Sequence, residues 1–102
     1  MVQLGWMLQV LQYKHKQLKI MKDLKQTAAM MSSADYKERF KAEYYQLENR
    51  YVKLNAMVEK WDKVELNFVP TCPRATYDFQ LKAMKEYLGI LQIRAKMENV
   101  EL

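Results

Sequence analysis

The stretch FKAEYYQLENRYVKLNAMVEKW, Phe40 to Trp61, decides the fold. Phe40, Tyr44, Leu47, Tyr51, Leu54, Val58 and Trp61 follow one another at intervals of four, three, four, three, four and three. A helix turns once in about 3.6 residues, so this alternation lays all seven on one side of one helix. An apolar seam sustained over about three heptads is the pattern of a helix that packs along another. Lys37, Glu38 and Arg39 just before the seam, and Glu43, Glu48, Arg50 and Lys53 between its positions, read as a solvated, ion-paired face.

The partner helix lies downstream. From near Pro73 to about Met97, residues Tyr77, Leu81, Met84, Leu88, Leu91 and Ala95 repeat the four-three spacing. A second stripe of Ala83, Tyr87, Ile90, Arg94 and Met97 lies beside the first, so this helix carries more apolar face than one neighbour needs. Gly89, between the stripes, permits a close helix approach at a cost of about 1 kcal/mol relative to alanine.

The two segments match in length, and residues 62–72 connect them. The reading is all-α: a long antiparallel helical hairpin over residues 32–102, with its bend at 62–73. The bend contains FVPTCPR, Phe68 to Arg74. Pro70 keeps Val69 extended, and Pro73 suits a first helical position with Thr71 or Cys72 as cap. Leu66 and Phe68 are expected to fold back towards Trp61. Cys72 has a second reading, as a nucleophile or metal ligand. It is the only cysteine, and the only histidine, His15, sits far away in a basic exposed context, so no metal-ligand spacing exists. The bend accounts for the other residues of this stretch without chemistry at Cys72.

Residues 1–31 read as a basic amphipathic N-terminal helix, from about Val2 to Met30, and as an optional extension of the hairpin. Leu4, Met7, Leu11, Leu18, Met21 and Ala28 form its apolar side. Ser32 is expected to cap the next helix, with Asp35 at the third position. The net charge of +5 is concentrated here, because residues 1–33 hold five lysines and one aspartate. Lys14, Lys16, Lys19, Lys22 and Lys25 read as a solvated face, an anionic-lipid surface beside Trp6 and Met7, or a nucleic-acid contact. The run MVQLGWMLQVLQY lacks a basic start and a cleavage site, and it is too short to span a bilayer.

With 102 residues, half of them apolar, the chain makes one small domain. Two glycines and two prolines are too few for the turns of a β sandwich or barrel. A lone cysteine makes no intrachain disulfide and suits a reducing cytosol. No Gly-rich phosphate loop or Ser/His/Asp set occurs, and Asp78 and Glu86 are spaced as in any charged helix. Neither an enzyme nor a cofactor is expected.

Arg94 is the most informative polar residue, because it occupies an apolar-stripe position and a buried guanidinium needs an anion. Two partners stay open: a carboxylate on a neighbouring helix, or a ligand phosphate held between subunits. In the second case Tyr87 stacks on a base, and Arg50, Lys53, Tyr44 and Tyr45 complete the pocket.

ERFKAEYYQLENRYVKLNAM, followed by NFVPTCPRATYDFQLKAMKEYLGILQIRAKMENVEL, resembles a group of small bacteriophage proteins first noted in a crAss-like phage. Gln80, Leu81, Ala83, Met84, Tyr87, Leu88, Leu91, Arg94 and Ala95 carry the match, which covers about residues 35–102. The resemblance implies phage origin and a small helical hairpin. In outline, with Gln80 and Met84 as a Q-x-x-x-M, the hairpin is also similar to the phage anti-CBASS and anti-Thoeris sponges. Those oligomers sequester cyclic-nucleotide immune signals between protomers, and their Gly-Tyr-Arg opening is missing here.

The resulting expectation is a homo-oligomeric, non-enzymatic anti-defence protein of the infected host's cytoplasm that sequesters a small anionic, cyclic nucleotide. Its ligand-binding residues would be Arg94, Tyr87, Arg50, Lys53 and Tyr44. The alternatives are a helical protein that docks on a host protein, and a nucleic-acid-binding accessory protein that uses the basic first segment.

Overall fold

A computed structural model of the chain describes residues 22–102. Every element there is helical: α1 is Leu24–Met31, α2 is Tyr36–Asp62 and α3 is Arg74–Met97. Helix α2 touches both others, and α1 does not touch α3. The central helix therefore turns a different face to each neighbour.

The expected first helix falls largely outside the described residues, as do Lys14, Lys16, Lys19 and His15. Residues 22 and 23 are not helical. Asp23 instead opens α1, its carboxylate accepting the Gln26 backbone N–H at 2.7 Å while the Gln26 side-chain oxygen accepts the Asp23 N–H at 3.1 Å. This reciprocal box satisfies two donors that a helix start leaves open. Asn49 of α2 anchors the entry by donating Nδ2 to the Lys22 carbonyl at 3.0 Å. The Lys22 ammonium stands 5.3 Å from the centre of the Tyr45 ring.

Ser32 does not cap α2, which corrects the sequence reading. Ser32 closes α1, and Asp35 caps α2 by accepting the Lys37 N–H at 3.0 Å. Both serines are engaged in the turn: Ser32 Oγ donates to the Ala29 carbonyl, and Ser33 Oγ accepts the Asp35 N–H. The Asp35 carboxylate, which suits the positive end of a helix dipole, takes the cap.

The seam of α2 meets the first stripe of α3, as the spacing predicts. Phe40, Tyr44, Leu88, Leu91, Ala95 and Val100 form the buried cluster, and Leu47, Tyr51 and Leu102 pack against it. At roughly 1.5–3 kcal/mol for each large apolar side chain fully buried, this cluster is the main stabiliser of the α2–α3 contact. Tyr36 at the start of α2 reaches Glu98 just past α3, and Trp61 and Asp62 at the other end reach Tyr77 and Arg74.

The bend is built differently from the proline-centred expectation. Helix α2 ends before either proline, with Val64 left-handed at φ 58. The Glu65 N–H reaches back to the Lys60 carbonyl at 2.9 Å, and the Val64 N–H reaches the Trp61 carbonyl at 3.0 Å. This is a Schellman closure, which usually has glycine at the left-handed position. Arg74 then clamps the helix ends, donating Nε and Nη2 to Asp62 at 3.1 Å each and Nη1 to Asp78 at 2.6 Å. Pro73 itself occupies the cap position, so neither Thr71 nor Cys72 caps α3. Phe68 is exposed rather than folded onto Trp61, which instead meets Tyr77 edge-on and has the Arg74 guanidinium 5.8 Å from its ring centre.

The far end of α3 closes in the same way. Asn99 is left-handed at φ 56, and the Val100 N–H bonds the Ala95 carbonyl at 2.8 Å. That bond turns Val100 back into the core beside Ala95. Lys37 Nζ donates to the Asn99 carbonyl at 3.1 Å and ties this tail to the start of α2.

Candidate functional site

Helical geometry sorts the polar residues around the α2–α3 contact into two flanks. Glu43 and Tyr44 lie about 100° apart around α2, and Tyr87 and Gln92 lie about 140° apart around α3. The Tyr87 hydroxyl donates to the Glu43 carboxylate, whereas Gln92 Nε2 donates to the Tyr44 hydroxyl at 2.9 Å. Leu88 and Leu91 fill the contact between these two pairs. The five expected binding residues are thereby divided, with Tyr44 on a different flank from Tyr87.

The first flank carries Arg94, which is exposed, in correction of its expected burial. It lies at the edge of the stripe, where its cation stands 5.0 Å from the Phe40 ring centre and its fork still reaches polar atoms. Nε donates to Glu98 Oε2 at 3.0 Å, and Nη2 donates to the Tyr36 hydroxyl at 3.1 Å. Tyr36 in turn donates to Glu98 Oε1 at 2.5 Å, closing a triangle. The Tyr36 hydrogen bond, and after it Arg94, hold the Glu98 carboxyl below the usual carboxylate range. The carboxylate partner of Arg94 thus lies four residues further along the chain, at the residue that closes its own helix. Arg50 follows Glu43 by two turns and shares this flank, while Lys53 is turned partly towards the α1 side. Both are exposed and form no ion pair among the described residues.

The second flank holds an open groove of about 570 Å³. Tyr44, Gly89, Gln92, Ile93 and Lys96 line it, and the tail residues Val100 and Leu102 close one end. Burial pushes the Tyr44 hydroxyl up to about 12; the Gln92 hydrogen bond works against this and the charge of Glu48 adds to it. Lys96 is exposed at the rim and has no ion pair among the described residues. A Cβ built on Gly89 would meet nothing within 4 Å, so backbone is open to an incoming group there. The groove offers an ammonium, an amide and a bare stretch of helix, a set that suits a small anion with a flat polar body. Tyr45, expected in the same pocket, instead turns its ring to Lys22 and packs edge-on against Tyr44. Gln92 and Lys96 were missed by the sequence reading, although their spacing of one turn beside Gly89 was visible.

Among the described residues, no group of His, Cys, Asp or Glu could hold a metal ion, and no helix is long and apolar enough to cross a membrane. Cys72 is exposed in the bend, where its hydrogen bond to Tyr77 is the largest of the effects that raise the Tyr77 hydroxyl.

A family model described as Sequestin matches residues 34–97. That span contains all of α2, the bend and α3, and leaves α1 outside. No curated protein and no solved structure matches the chain.

Proposed function

This chain belongs to the Sequestin family, and on that premise we propose that it is a non-catalytic phage protein that binds and holds a small anionic, cyclic nucleotide signal. The family's name supports sequestration, which asks only for tight occupancy. The observation that carries the ligand class is the groove beside α3, with Lys96 at its rim, Gln92 and Tyr44 in its wall and Gly89 bare. Lys96 takes a phosphate, Gln92 takes a polar edge of the base or sugar, and Gly89 lets the ligand lie against the helix.

The other flank is the competing location, with Arg94, Arg50 and Lys53 on phosphate and Tyr87 on a base. The exposure of Arg94 favours it, but a ligand there has to displace Glu98 or Glu43 from partners already made. A second reading, docking on a host protein, draws support from the exposed Phe79, Ile90, Ile93 and Met97 of α3.

The test incubates the protein with cyclic di- and trinucleotides and cyclic ADP-ribose isomers, removes it by filtration, and quantifies free ligand before and after heating. Depletion followed by release of intact ligand is expected. Lys96→Glu should abolish depletion while Arg94→Ala leaves most of it; the reverse pattern moves the ligand to the Arg94 flank. No depletion of any ligand would leave host-protein docking as the better reading, and an altered product would overturn the non-catalytic one.

A further inference from the structure

One end of the groove is built differently from the rest of its wall. Every lining residue but two belongs to α2 or α3, whereas Val100 and Leu102 come from the stretch that follows α3. A helical wall moves only if a helix melts, but a short non-helical stretch can swing about one or two backbone bonds. Asn99, left-handed at φ 56, is the residue at which such a swing turns. Val100 is 6% exposed and packs with Ala95, itself 3% exposed and part of the groove lining. Lifting the tail therefore uncovers the groove floor at this end.

The polar groups that pin the tail lie on the opposite flank. The Tyr36 hydroxyl donates to Glu98 Oε1 at 2.5 Å and accepts from Arg94 Nη2 at 3.1 Å, while Arg94 Nε donates to Glu98 Oε2 at 3.0 Å. Lys37 Nζ donates to the carbonyl of Asn99, the turning residue itself, at 3.1 Å. All of these bonds are exposed to solvent, and exposed polar contacts open far more often than a packed core does. The tail thus crosses the end of the α2–α3 contact, pinned on the Arg94 flank and walling the groove on the other.

We propose that residues 98–102 are a strap over one end of the groove, and that Tyr36, Lys37 and Arg94 are positioning residues that latch it. They touch no ligand. They set how often the groove end opens, and so how fast a bound molecule exchanges. This rests on the reading of the groove as the ligand site and adds a means of slow release, which sequestration needs and affinity alone does not supply. It also gives Arg94 a role away from any phosphate. Without its guanidinium the strap opens more often yet stays mostly closed, so depletion at equilibrium persists while entry and escape both quicken.

Amide hydrogen exchange, followed by NMR on the full chain, tests the latch without any nucleotide. The Val100 N–H, bonded to the Ala95 carbonyl at 2.8 Å, reports the strap, and the N–H of the fully buried Leu91 reports the whole fold. Tyr36→Phe with Lys37→Met removes the shared hydroxyl and the lysine anchor while keeping the ring beside Phe40. Val100 exchange should rise about tenfold or more with Leu91 unchanged, and Lys37→Arg in place of Lys37→Met should recover part of the loss. Access to the groove is read by thiol labelling of Ala95→Cys in a Cys72→Ser chain, which the latch variants should quicken by the same factor. Val100→Cys in the same chain repeats that reading at the strap itself. Latch variants that leave Val100 exchange unchanged overturn the proposal. So do Val100 and Leu91 rates that rise together, and a strap that opens without speeding the thiols. A nucleotide panel that fails while these rates follow the latch would sink the groove as a ligand site and leave the strap standing.

Discussion

Val64 and Asn99 end their helices in the same backbone conformation, with φ near 58 and 56, but only one of the two side chains suits it. Asparagine tolerates the left-handed region, whereas a β-branched residue brings its Cβ too close to the following carbonyl. Val64 gains nothing in compensation, because it is 92% exposed. Val64→Gly is therefore expected to stabilise the protein by about 1 kcal/mol, the steric relief exceeding the added freedom of the unfolded chain. In urea unfolding, the midpoint should rise while the slope stays unchanged. A midpoint that falls would mean that the turn after α2 does not take the left-handed form in solution.

At the scale of the elements, the α2–α3 contact gives a pH signature through Tyr44. The ordinary tyrosine value is 10.0 and the folded one is about 12, raised first by burial. The folded state therefore holds its proton more tightly than the unfolded state. The resulting stability is complete below pH 10 and is lost as pH rises towards 12. Tyr44→Phe should remove much of this alkaline loss while costing about 1 kcal/mol at neutral pH for the missing Gln92 hydrogen bond. Chemical denaturation at neutral and alkaline pH, with tyrosinate absorbance followed alongside, checks both effects, and an unchanged alkaline slope would remove Tyr44 as its source. This contact was also the most legible part of the sequence, because seven seam residues on one side of a helix leave few other arrangements. The ends of the elements were less legible. Asp23 and Gln26 form their capping box inside an apolar pattern that runs straight through it, and Val64 terminates α2 without the glycine that normally marks such a turn. The spacing put Arg94 on a stripe but could not separate the edge of the stripe from its middle. Gln92 and Lys96 looked like ordinary solvated residues, since only the returning tail, Val100 and Leu102, makes a groove beside them.

At the scale of the whole molecule, α2 packs on one face of α3, and among the described residues a groove lies beside that contact. A protein that sequesters a ligand should gain stability from it by RT ln(1 + [L]/Kd), about 2.7 kcal/mol at a hundredfold excess over Kd. Its melting temperature should therefore rise with whichever cyclic nucleotide is depleted in the filtration assay. The dependence on protein concentration carries separate information. If each groove binds alone, the ligand-induced rise at saturating ligand is the same in dilute and concentrated protein. If the site is completed by a second copy, the liganded melting temperature climbs with protein concentration, because unfolding then also separates two chains. Ile90→Glu should abolish that climb while leaving the unliganded melt unchanged. A liganded melting temperature that ignores both protein concentration and Ile90→Glu would place the ligand within one chain.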